Sequence, residues 1–279
     1  MIFDGHSDIF SDVRYKREAG ETQVLKNHHL DRLRKGGIGG ACFVIWADTY
    51  NGHAPKDEME AIVKGIKGEM AETKEFVLIH NVEELKAAEA AGKFAILLGI
   101  EGLAGIGEDL SKIDELYDLG ARHAMLTWNE ENALATGVKG DPNRGVTELG
   151  KQAIKKLQEK KMILDVSHIN EKSFWDVIDL ATGPILASHS NAKALASAAR
   201  NLTDDQLRAI RDTNGLVGLN AFGDFISDNK AEQDVDHLVN HATYIADKIG
   251  VEHLGFGFDF FDFFHLTLYT KKSKCQLRI

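Results

Sequence analysis

A histidine and an aspartate two residues apart, His6 and Asp8, follow the short apolar start Ile2-Phe3. Side chains alternate along an extended chain, so residues two apart point the same way. An imidazole and a carboxylate converging on one point suit a divalent metal such as zinc. A surface pair at a strand end would read the same, because H-x-D is a common string. Its weight comes from what recurs later. Glu101 closes an apolar run at residues 93–102, His168 closes 162–168, His189 closes 184–189 and Asp259 closes 253–259. Each has a structural role open to it, such as a helix cap for Glu101 or a loop hydrogen bond for His168. Together they supply three histidines and three carboxylates, the mixture expected for two zinc ions sharing a carboxylate. The acidic members would also offset the charge of the ions in a partly buried site.

Six such groups need strands that end at one place. Eight apolar runs qualify: residues 2–3, 36–48, 93–102, 122–129, 162–168, 184–189, 215–220 and 253–259. Residues 76–79 form a further brief extended segment, and residues 12–30 read as a loop with some helix. Amphipathic helices separate most runs. Their stripes include Met59, Ile62, Val63, Ile66 and Met70, then Leu149, Ile154 and Leu157, then Leu238, Ala242, Ile245 and Ile249. Thr203 to Gln206 fits a capping box at a helix start. Alternating strands and helices predict an α/β fold, a (β/α)8 TIM barrel of the metal-dependent hydrolase type, with active-site residues at the C-terminal strand ends. The structural alternative is a doubly wound open sheet, but no G-x-G-x-x-G follows the first strand. One domain is expected over residues 1–279. Residues 265–279 read as an atypical or truncated tail, which would leave the barrel incomplete after its eighth strand.

The chain carries a net charge of -10, which argues against a nucleic-acid groove or an anionic membrane surface. Cys42 and Cys275 are its only cysteines and offer no disulfide framework, so a cytoplasmic setting is expected. No basic segment leads into a long apolar one at the N-terminus, so no signal peptide is expected.

The order H-x-D, I-E-G, D-V-S-H, S-H-S-N followed by A-R-N, and G-F-D resembles the membrane dipeptidase (renal dipeptidase) family, the M19 metallopeptidases of the amidohydrolase superfamily. The likeness runs from His6 to about Asp262 and is closest in kind to the shorter bacterial members. It implies a zinc-dependent dipeptidase acting on L,L and also L,D dipeptides through a metal-bridging hydroxide. His6 and Asp8 would hold one zinc, His168 and His189 the other, and Glu101 would bridge both. Asp259 would be the acid/base residue, and Arg200 would take the substrate's terminal carboxylate. Trp128 stands where the animal enzymes have a substrate-contacting histidine, leaving Asn129 or Asn132, or the second zinc alone, as the polar contact to the carbonyl oxygen. Phe222 stands where a tyrosine is expected. Manganese or iron would suit the same donors. The turn at residues 141–144 is expected to form part of the substrate wall. Two other readings stay open: a related metal hydrolase acting on a cyclic amide, lactone or phosphoester, and an inactive truncated remnant. A barrel lacking its last helix would expose apolar surface, so a homodimer is a further expectation.

Overall fold

The computed structural model describes residues 1–47, 53–261 and 263. Its strands are β1 (Ile2–Ser7), β2 (Ile38–Trp46), β3 (Phe76–Ile79), β4 (Phe94–Glu101), β5 (His123–Met125), β6 (Ile163–Asp165), β7 (Ile185–Ala187), β8 (Leu216–Leu219) and β9 (Leu254–Phe256). All pair in parallel, in the order β3-β4-β2-β1-β9-β8-β7-β6-β5. The far edge of β4 is shared. Phe94–Leu97 pair with β3, while Leu98 O accepts from Arg122 N–H at 2.9 Å, bringing β5 beside the other half. A second bond, Leu103 N–H to Leu126 O at 3.2 Å, continues that seam. The ring is therefore the expected eight-stranded α/β barrel, and the brief segment 76–79 becomes a ninth strand on one half of the β4 edge that β5 also borders.

Alternation decides which residues enter the barrel. On β2, Ala41, Phe43 and Ile45 pack outward into the main core under the helices, whereas Cys42, Val44 and Trp46 face inward as a separate cluster. On β4, Phe94, Ile96, Leu98 and Ile100 pack outward, so Glu101 falls on the inward face with Gly99. A Cβ on Gly99 would stand 2.5 Å from His123 Nδ1 and 2.7 Å from Cys42 Sγ, so glycine is what lets those side chains cross the interior.

The helices match their stripes with one difference. Ile9–Glu18 is helical from the residue after Asp8, where a mostly loop segment was expected. Ile9, Phe10 and Val13 anchor it in the core, and the polar residues between and beside them, Ser11, Asp12 and Arg14, are buried too, which breaks up the apolar stripe. Thr203 and Gln206 form the reciprocal capping box at Asp204–Asp212. In Val235–Ile249, Leu238, Ile245 and Ile249 are buried, together with His241, whose Nδ1 accepts from Ala192 N–H. No helix among the described residues is long and apolar enough to cross a membrane. The expected tail at residues 265–279, Asp48 and Cys275 lie outside the described residues.

Candidate metal centre

The strand ends deliver the predicted donors to one mouth of the barrel. His6 lies on β1 and Asp8 just past it, while Glu101 is the last residue of β4. His168, His189 and Asp259 follow the ends of β6, β7 and β9. His168 Nε2 and His189 Nε2 are 2.7 Å apart. Glu101 Oε1 lies 2.8 Å from His168 Nε2 and 3.8 Å from His189 Nε2, and its Oε2 lies 3.4 Å from His6 Nε2. On the other side of His6 Nε2, Asp8 Oδ2 and Asp259 Oδ1 each stand 3.8 Å away. Two overlapping sets result, His6 with Glu101 and His189, and His6 with Asp8 and Asp259. One carboxylate thus faces both halves of the cluster.

Several groups that the sequence reading passed over hold these donors. Asp165, buried inside the barrel, accepts from Ser167 N–H at 2.8 Å and Ser188 N–H at 3.2 Å, the residues just before the two histidines. His123 of β5 bonds its other oxygen at 2.7 Å. Asp4 acts similarly across β1 and β9, accepting from Phe258 N–H at 2.9 Å, next to Asp259. Both acids were visible as charges inside apolar runs, in D-V-S-H and D-G-H, where burial without a partner is costly. The imidazoles are oriented too. Asn129 Oδ1 lies 2.9 Å from His168 Nδ1, and Ser188 Oγ lies 2.8 Å from His189 Nδ1. With Nδ1 protonated towards Asn129, His168 Nε2 carries a lone pair directed into the cluster. His168 (φ 73°) and Asp259 (φ 59°) adopt left-handed backbone conformations, which cost a non-glycine residue about 1–3 kcal/mol. His168 is fixed there by its carbonyl accepting from Val138 N–H at 2.9 Å, and Asp259 by Asn220 Nδ2 donating to its Oδ2 at 3.0 Å.

The electrostatics suit a cation. Burial pushes Glu101 up to about 8 and Asp259 up to about 7, and the charge of Asp8 adds to both. Burial also drives His168 and His189 well below the ordinary histidine range, reinforced by the nearby positive charges of Arg200 and His6. Both are thus neutral at pH 7, the form that donates to a metal. For His6 burial acts in the same direction, but Glu101 and Asp8 outweigh it and hold its pKa well above the usual value. His6 Nε2 and Asp8 Oδ1 are buried without a hydrogen bond. Crowded carboxylates, facing imidazole nitrogens and orphaned donor atoms fit divalent ions better than a protein-only network.

A cleft of about 440 Å³ opens beside the cluster. Trp128 and Trp46 form one aromatic wall, with rings 5.4 Å apart. Phe222, Phe225 and Phe261 form the other. Arg200 is buried in the cleft, donates to His189 O at 3.4 Å and leaves its Nε without a protein acceptor among the described residues. Asn129 lines the cleft while bonding His168, so its carbonyl oxygen is committed to orienting that ring. Asn132 is taken up by the loop, donating to Leu126 O and accepting from Leu134 N–H. Val138 and Lys139 line the wall on this side, rather than the turn at residues 141–144.

A parallel barrel that gathers histidines and carboxylates at its C-terminal mouth, beside a cleft with a buried arginine, is an arrangement suited to metal-dependent hydrolysis. The membrane dipeptidase model, peptidase family M19, matches residues 1–268, and the chain belongs to that family. An uncharacterised protein of Acinetobacter calcoaceticus is 30% identical over 282 residues, covering 89% of this chain and 90% of its own. An uncharacterised dipeptidase of Schizosaccharomyces pombe is 29% identical, covering 93% and 68%. A metallopeptidase from Rhodobacter sphaeroides, crystallised with a phosphinate mimic of the dipeptide L-Ala-D-Ala, superposes with a TM-score of 0.82. Identity to that structure is 26%, with 93% of this chain and 85% of the other covered.

Proposed function

We propose that this protein hydrolyses dipeptides, L,L and also L,D, using two divalent ions, zinc foremost. His168 and His189 would hold one, His6 and Asp8 the other, and Glu101 would reach both. The observation that carries this reading is the pair of imidazole nitrogens 2.7 Å apart, with the Glu101 carboxylate divided between them and His6. The likeness to a metallopeptidase holding a dipeptide mimic supports the substrate class. When bound, such ions polarise a carbonyl and make a water acidic enough to attack near neutral pH.

The chain's own residues do the rest. Arg200 offers a charged fork to the substrate's terminal carboxylate, with its Nε unpaired among the described residues. A carboxylate held by Arg200, next to the backbone of His189, would have to lie close to the scissile bond, which would limit substrates to short peptides. Asp259 keeps Oδ2 on Asn220, while Oδ1 faces the cluster. Oδ1 takes the proton of the attacking water and returns it to the leaving amine. Trp128 and Phe222 give the cleft apolar sides against which a substrate can pack. We place the reaction in the cytoplasm.

The test is a panel of L,L and L,D dipeptides beside a lactone, a cyclic amide and a phosphoester, each given to metal-loaded protein. Dipeptide turnover supports the reading. Turnover of another class alone would move the protein to a different reaction within the same superfamily.

A further inference from the structure

The cleft contains more positive charge than a simple dipeptide needs. Of its charged lining residues, Asp8, Glu101 and Asp259 belong to the metal cluster, leaving Arg200 and Lys139 to meet the substrate. Near neutral pH a dipeptide of neutral side chains carries one carboxylate, which Arg200 accounts for, and one α-ammonium, which a lysine does not attract. Lys139 remains. Its Nζ lies 5.5 Å from the centre of the Trp128 ring, and its backbone N–H bonds Asn129 O at 2.9 Å, so the residue is anchored at the cleft wall. The acidic side chains of the same loop are engaged elsewhere. Glu131 pairs with Arg144, Glu130 accepts from Trp128 N–H and Asp141 accepts from Asn143 N–H. Among the described residues no carboxylate stands within ion-pair distance of Lys139, which is exposed at the mouth of the cleft.

The two cations sit on different sides of the histidine pair. Arg200 reaches the backbone of His189, whereas Trp128 lies 5.9 Å, ring to ring, from His168. A dipeptide with its terminal carboxylate on Arg200 and its scissile bond over the cluster extends its N-terminal residue towards Trp128 and Lys139. From this placement we infer that the site prefers dipeptides with an acidic N-terminal residue, glutamate or aspartate. The side-chain methylenes lie on the Trp128 face and the carboxylate meets Lys139 Nζ. The inference rests on the dipeptidase reading and specifies its substrate class.

The test compares kcat/KM for L-Glu-L-Ala, L-Gln-L-Ala, L-Lys-L-Ala and L-Ala-L-Glu, using zinc-loaded protein and its Lys139→Gln and Lys139→Glu variants. Glu-Ala should exceed Gln-Ala by about three- to fivefold at low salt, the range a partly exposed ion pair supports, and the ratio should shrink as salt is added. In Lys139→Gln the ratio should fall to near one, and Lys139→Glu should favour Lys-Ala. An equal Glu/Gln ratio in wild type and Lys139→Gln overturns the inference while leaving the dipeptidase reading intact. So does a Lys139-dependent preference for Ala-Glu over Glu-Ala. No turnover of any of these dipeptides, or of their L,D counterparts, by loaded protein removes both.

Discussion

At the scale of single residues, the site depends on acids that touch no substrate. Asp165 fixes the backbone just ahead of His168 and His189 and is itself held by His123. Replacing it with asparagine gives an NH2 group to a position surrounded by donors. Asp165→Asn should therefore lower zinc affinity by about ten- to a hundredfold, the usual cost of losing a partner behind the metal ligands. Competition with a chromophoric chelator measures this, and unchanged affinity would remove Asp165 from the account. Asp259→Asn addresses the chemistry. It should lower kcat by about a hundredfold or more with both ions bound, because the proton acceptor is gone. Wild-type turnover in that variant would show that another group moves the proton. The donors themselves were legible from sequence, since each stands at the end of an apolar run and local alternation fixes its direction. Asn129 was legible as a cleft residue but not as the partner of His168, because that contact depends on how the ends of β5 and β6 meet.

At the scale of elements, the parity of β2 and β4 turns sequence into a site. Glu101 faces inward because the odd positions of β4 do, and the interior has room because residue 99 is glycine. Gly99→Ala would drive a methyl group into His123 and Cys42. Overpacking of this kind costs about 1–3 kcal/mol, and the displaced His123 would loosen Asp165 as well. A lower urea midpoint together with weaker zinc binding is the expected pair of results. A wild-type midpoint would mean that the interior is looser than the distances imply. The sequence located eight strands because each is a compact apolar run. It left residues 76–79 as a brief extended segment, since a four-residue strand gains its identity from the half of the β4 edge that β5 does not take, a feature of the assembled sheet. The helix at Ile9–Glu18 was obscured for a similar reason: three core anchors among polar residues give a weak period.

At the scale of the whole molecule, the metal cluster ties together five strands from both ends of the described chain, β1, β4, β6, β7 and β9. Ions bound there stabilise the folded state alone, since the unfolded chain does not assemble the donors. Chelation should lower the melting temperature by several degrees and zinc should restore it. An unchanged melting temperature in protein shown to have lost its metal would argue that the barrel mouth is held by hydrogen bonds alone. The central claim is that two ions in this cluster support dipeptide hydrolysis, and a zinc titration of metal-stripped protein tests it most directly. With the rate of L-Ala-L-Ala hydrolysis followed at each addition, activity should be absent at the start and level off at two ions per chain. Activity that levels off at one ion, or persists without any, would contradict it.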